Sequence, residues 1–197
     1  MAQSLKQMHP TMALGPDGMP PLFCQIFWPL VGDCVTKSVL DFLNLGITPP
    51  NFNETYYSHS KIENSSNMTD YRSISLCNVV YKLASKSLAN CMKFVSSSIV
   101  NEKQSAFTKG HFITNNMLVA FETMYHISQK RSGKVSDMAL KLDMSKAYDR
   151  VEWTCLENIM IRFGFHRKLV DTTMSCVSSV VYSVCINKQP RGRIIPS

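Results

Sequence analysis

The sequence predicts an α+β fold with a helix-rich first part and most of its sheet close to the C-terminus. Apolar residues recur at helical spacing in five stretches between Val31 and Val177, whereas alternation with a period of two appears only at Met138–Asp143 and Val180–Ile186. No repeat with a 20–50-residue period is visible, which excludes solenoids and propellers.

Each element has a local reason. Gly15-Pro16-Asp17-Gly18 reads as a turn, since Pro presets φ and the glycines tolerate positive φ. Val31, Val35, Val39 and Leu43 then mark a helix, with Gly46 as its stop signal and Pro49-Pro50 beyond. Ser58 to Thr69 is rich in Ser and Asn and reads as a surface loop. From Asn78, the residues Val80, Leu83, Ala84, Leu88, Cys91 and Val95 form the apolar face of a second helix, and Lys82, Lys86 and Lys93 form a basic stripe on it. Leu118, Phe121, Met124 and Tyr125 predict a third helix, followed by a polar linker, Gln129–Ser136.

In the next segment Met138, Leu140 and Leu142 share one strand face, while Ala139, Lys141 and Asp143 share the other. Two further helices are expected over Val151–Phe163, closed by Gly164, and over Leu169–Val177. Val180, Tyr182, Val184 and Ile186 then predict a strand that turns at Asn187-Lys188-Gln189-Pro190.

Composition narrows the class. The 197 residues suit about one domain, and 45% hydrophobic with 18% charged residues disfavours disorder. A net charge of +7 suits a polyanionic partner, although the basic residues are scattered. The seven cysteines make no C-x-x-C pair and are odd in number, so neither a disulfide framework nor a zinc site is expected. Met1–Pro10 has no signal-like apolar run and no stretch reaches the ~20 apolar residues of a membrane span, so the expectation is an intracellular protein with no membrane association. The sequons at Asn53, Asn64 and Asn67 are then chance matches.

Asp143 is the leading catalytic candidate, because a carboxylate at a strand end beside small residues can hold a divalent metal; a solvated strand terminus is the competing reading. Asp149, just before Val151, reads better as a helix cap.

The run Lys141-Leu142-Asp143-Met144-Ser145-Lys146-Ala147-Tyr148-Asp149-Arg150-Val151-Glu152-Trp153 resembles the first catalytic motif of non-LTR (LINE-type) retrotransposon reverse transcriptases, close to plant elements. Three further stretches fit in the family's order: Gly15-Pro16-Asp17-Gly18, Asp70-Tyr71-Arg72-Ser73-Ile74-Ser75-Leu76, and Gln104-Ser105-Ala106-Phe107 running into Gly110. The resemblance implies the fingers and partial palm of a right-hand polymerase, with a fingers-like part at 1–136 containing a mobile loop at 56–70, and a partial palm at 137–197. It also implies Mg²⁺ as cofactor, held by Asp143, and an RNA template with a DNA primer as partners, with no small-molecule cofactor. Arg72 and Lys61 would contact the incoming triphosphate, where cationic groups offset phosphate charge. Tyr148 would be the steric gate against a ribose 2′-OH, and Lys82, Lys86, Lys93 and Lys109 would hold nucleic-acid phosphates.

Departures from the family pattern bear on activity. Met12 and Leu14 replace the usual Lys and Pro, Ser73 replaces a Pro, and His111 and Asn115 stand where Arg and Asp are usual. The strand before Lys61 is polar, Tyr56-Tyr57-Ser58-His59-Ser60, where the family has an apolar one. The Tyr-x-Asp-Asp hairpin of the family has no counterpart, and no Asp-Asp dipeptide occurs. The expectation is a chain inactive by itself, with unpaired strand edges near Leu142 and Val184; the alternative is a basic nucleic-acid-binding relic with no selected function.

Overall fold

A computed structural model describes residues 1–60, 67, 72–101, 103–106, 110, 112–130, 137–144, 147–187 and 189–196. The chain forms two compact units, residues 1–90 with 153–197, and residues 91–152.

The first unit opens with α1 (Ala2–Lys6), α2 (Pro21–Ile26) and α3 (Trp28–Leu45). The expected stop of α3 is present: Gly46 takes φ 70° and its N–H donates to the Phe42 carbonyl, a left-handed cap that a residue with Cβ adopts only at a cost. Val39 and Phe42 are the buried side chains of its inner face. Phe42 packs against Phe52 with ring centroids 4.8 Å apart and the rings tilted by 44°, and Phe52 meets Tyr81 edge-on at 5.7 Å. Val79, Leu83, Ala84 and Leu88 of α4 (Val79–Ile99) complete this core with Met160 of α6 (Trp153–Arg162) and Val170 of α7 (Arg167–Ser178). Burying each large apolar side chain contributes about 1.5–3 kcal/mol. Arg167 ties α6 to α7 through Glu157 at 2.9 Å, and also bonds Asp171 at 2.8 Å.

The sheet has four strands in the order β2-β1-β3-β4, formed by β1 (Glu54–Ser60), β2 (Arg72–Cys77), β3 (Val181–Ile186) and β4 (Gln189–Ile194). β1 runs antiparallel to β2, with Thr55 opposite Cys77 and Ser60 opposite Arg72, and parallel to β3, with Tyr57 opposite Val184. β3 and β4 form the expected hairpin, irregular between Tyr182 and Val184, and Asn187 takes φ 51° in its turn.

This arrangement corrects three expectations. The sheet is not concentrated late in the chain, since β1 and β2 supply half of it. The surface-loop reading fails for Ser58–Ser60, because these residues end the strand Glu54–Ser60 and pair with β2; further back Thr55–Tyr57, whose Thr and Tyr suit a pleated surface, pair with both β2 and β3. Of the remainder of that loop, 61–66, 68 and 69 lie outside the described residues. Val184 is not an unpaired edge either, for it sits opposite Tyr57 on one side and Arg191 on the other.

The second unit holds α5 (Ile113–Gln129) and a short 3₁₀ turn, Ala147–Arg150. The alternating segment 138–143 is not a strand: residues 137–144 pair with no strand among the described residues, and Met138, Leu140, Leu142 and Met144 are 62 to 84% exposed. Alternation selects two faces, but a strand also needs a neighbour to accept and donate its ladder bonds. The apolar faces expected on the helices are likewise only partly buried. Beyond Leu88 no described residue of α4 is buried, Cys91 and Val95 included, and α5 buries none of its residues.

Candidate functional site

Asp143 lies in the second unit, exposed, in the extended stretch 137–144 rather than at a strand end. Tyr148 follows in the 3₁₀ turn Ala147–Arg150, and the position of its side chain lies outside what is described. Local sequence explains this neighbourhood: Asp149 and Arg150 complete one tight turn before Trp153 begins α6. No group of three or more His, Cys, Asp or Glu side chains able to hold a metal exists among the described residues. Mg²⁺ takes six oxygens but draws several of them from water and substrate phosphates, so one or two carboxylates suffice, and Asp143 would supply one.

The candidate phosphate contacts divide between the units, with Arg72, Lys82 and Lys86 in the first and Lys93 in the second. Arg72 is the first residue of β2, opposite Ser60 of β1, in the first unit. The hairpin position is therefore set by a six-residue antiparallel ladder. Lys61 and Lys109 lie outside the described residues.

The basic stripe on α4 is present as a helical face, since positions 82, 86 and 93 fall within one helix at i, i+4 and i+11. Its members differ, however. Lys82 Nζ donates to the Ala13 carbonyl at 2.7 Å, so it holds the loop before Asp17 in place; Lys86 is half-buried, and Lys93 is exposed.

Two polar networks escaped the sequence reading. Asn53 Nδ2 donates to the Cys176 carbonyl at 2.9 Å and to Ser179 Oγ at 3.0 Å, and Tyr81 Oη donates to the same carbonyl at 3.0 Å. This knot joins the start of β1, α4 and the end of α7. Burial pushes the Tyr81 phenol well above its ordinary pKa, with nearby Cys176, Cys77 and Tyr182 adding to the rise, and burial moves the Cys176 thiol up to about 11. Asn53 is 6% exposed with its amide engaged, so its sequon is closed to modification in the fold. Nothing in the local sequence singles out these four residues, whose partners lie more than 90 positions away.

The second network surrounds Asp17, beside a pocket of about 340 Å³ whose lining includes Pro16, Asp17, Phe52, Glu54 and Asn78. Asp17 Oδ2 accepts from Val79 N at 2.6 Å, and Asp17 N donates to Asn78 Oδ1 at 2.9 Å. The Gly-Pro-Asp-Gly spelling announced the turn but not its partner.

A family model described as "Reverse transcriptase (RNA-dependent DNA polymerase)" matches residues 61–195, well over half of the chain. The "Transposon TX1 uncharacterized 149 kDa protein" of Xenopus laevis is 24% identical over 188 residues, covering 95% of this chain. The chain spans 14% of that relative's length. No helix among the described residues is long and apolar enough to cross a membrane. The matched interval contains Arg72, the α4 lysines and the whole run from Lys141 to Trp153, and on that match the chain belongs to the reverse transcriptase family.

Proposed function

We propose that these residues are the fingers and the first part of the palm of an RNA-directed DNA polymerase of a non-LTR retrotransposon. The observation that carries the reading is the run Lys141–Trp153, with Asp143 at its centre, inside the family match at 61–195. By role, residues 1–136 are fingers and 137–197 palm, a division that does not follow the two compact units. The affinity to plant elements rests on the spelling of the motif alone.

Within this reading Arg72 and Lys61 meet the triphosphate, Tyr148 crowds the 2′ position of the sugar, and Lys82, Lys86, Lys93 and Lys109 lie along the nucleic acid. RNA template and DNA primer are the partners, and the +7 charge favours them sequence-independently. Mg²⁺ is the metal the family's chemistry requires. Asp143 is its only ligand assigned here, so these 197 residues by themselves are expected to bind nucleic acid without extending a primer.

The test is primer extension on an RNA template with Mg²⁺ and deoxynucleotides, beside Asp143→Ala, together with binding of an RNA–DNA hybrid across a salt series. No incorporation by either chain, with affinity falling steeply with salt, is the expected result. Incorporation that Asp143→Ala abolishes would overturn the inactivity, and salt-independent affinity would overturn the phosphate-binding role of the lysines.

A further inference from the structure

α4 begins one residue after β2 ends, since Cys77 closes the strand, Asn78 intervenes and Val79 opens the helix. A helix start leaves N–H groups without intrahelical partners, and the residue before the first turn usually caps one of them with its own side chain. Asn78 has the right chemistry and position for that. Its amide is turned elsewhere: Oδ1 accepts from Asp17 N at 2.9 Å, and Nδ2 donates to the Asn51 carbonyl at 2.7 Å. The cap comes instead from a carboxylate 62 positions upstream, Asp17 Oδ2, which accepts from Val79 N at 2.6 Å.

The loop that delivers this carboxylate is held at several points. Met19 N donates to Asp17 Oδ1 at 3.2 Å, and Lys82 Nζ bonds the Ala13 carbonyl at 2.7 Å. Gly15 lies so close to the end of β2 that a Cβ there would stand 2.2 Å from the Cys77 carbonyl oxygen. Asp17, Asn78 and Asn51 thus link the loop, the β2–α4 junction and the turn before β1.

We propose that Asp17 is a positioning residue whose cap on α4 sets the placement of β2, and with it the backbone of Arg72. The junction has no slack, because a single residue separates strand from helix. β2 transmits the constraint because its six residues from Cys77 to Arg72 all pair with β1. A displacement at Val79 therefore appears at Arg72, and the functional half of the claim rests on Arg72 being the triphosphate contact.

Two measurements on the 197-residue chain test this. In amide hydrogen exchange, Asp17→Ala accelerates residues 72–77 and 79–82 more than tenfold and leaves α7 at the wild-type rate, while Asp17→Asn, which keeps an acceptor for Val79 N and gives up the weaker bond from Met19 N, restores most of the protection. Acceleration spread evenly over the first unit, or confined to 79–82, overturns the proposal. Should Asp17→Ala fail to fold, Asp17→Glu, which moves the acceptor away from Val79 N by one methylene and keeps the charge, gives the same comparison.

The second measurement is binding of dTTP with Mg²⁺. Asp17→Ala raises the Kd several-fold with an unchanged number of sites per chain, and Asp17→Asn stays near wild type. Fewer sites at an unchanged Kd would mean that Asp17 only keeps the chain folded, which overturns the positioning role. If the wild type binds no dTTP while the exchange pattern holds, the assignment of Arg72 falls and the clamp on β2 stands.

Discussion

Replacing Asn53 by Asp exchanges a hydrogen-bond donor for an acceptor inside the knot formed with Tyr81, Cys176 and Ser179. Asn53 Nδ2 sits 2.9 Å from the Cys176 carbonyl oxygen, and the residue is 6% exposed. A carboxylate in that place would set a buried negative charge against a carbonyl oxygen, with no cation among the side chains of the knot. The folded variant avoids this by holding a proton on the carboxyl, which then donates to the carbonyl in place of the amide. Its folded pKa is thereby raised above the ordinary value of about 3.9. The unfolded chain releases that proton near pH 4, so the variant is least perturbed below that pH and loses stability as pH rises toward the folded pKa. Each pH unit costs about 1.4 kcal/mol, and from the ordinary carboxylate value to pH 7 the loss is about 4 kcal/mol.

Urea unfolding followed by circular dichroism at pH 4, 5, 6 and 7, with the wild type in parallel, measures the difference directly. Loss of up to about 4 kcal/mol is a large part of the 5–15 kcal/mol that holds a typical domain, so at pH 7 the variant is expected to be largely unfolded at low urea. A difference below about 1 kcal/mol at pH 7, or one that does not change with pH, would refute the buried donor role of Asn53.

Gly15→Ala forces a Cβ to within 2.2 Å of the Cys77 carbonyl and is expected to destabilise by about 1–3 kcal/mol or more, read as a lowered Tm. At pH 8, Cys34, Cys91 and Cys155 are exposed and should react rapidly with a thiol reagent, whereas Cys24 and Cys176 should react only on unfolding, as burial raises both their pKa values. Asp137 should titrate below the ordinary carboxylate range by NMR, since Lys130 hydrogen-bonds it and adds a positive charge; any stability from this pair is present above the ordinary carboxylate pKa and lost on acidification through the lowered value, and Lys130→Ala reduces the shift. Arg167→Ala removes bonds to Glu157 and Asp171 from a largely exposed site, so the expected cost is below about 1 kcal/mol and shrinks with added salt.

How far the site could be read in the sequence varied with the kind of signal. The motif around Asp143 is contiguous and needed no contacts to be recognised, and the family match at 61–195 contains it. The strand expected there was not formed, because Met138, Leu140 and Leu142 supply the alternation while no described residue supplies the ladder. The reverse happened at Tyr56–Ser60, too polar to stand out as a strand, yet paired with β2 along its whole length and with β3 at Tyr56 and Tyr57. Arg72 was legible as a residue type in a motif, but its place in the ladder, opposite Ser60, required the partner strand.

Although α1 and α2 were not read from it, the chain's own pattern was enough for the family, for the presence of α3 to α7 with the stops at Gly46 and Gly164, and for the β3–β4 hairpin. These follow from bonds and φ angles set within a few residues, as when Gly46 ends α3 at φ 70°. Strand order, the interior position of β1, the use of Lys82 as a tether for Ala13 and the capping of α4 by Asp17 came only with the fold. Each depends on groups far apart in sequence competing for the same donors and acceptors, and local periodicity carries no information about which of them meet.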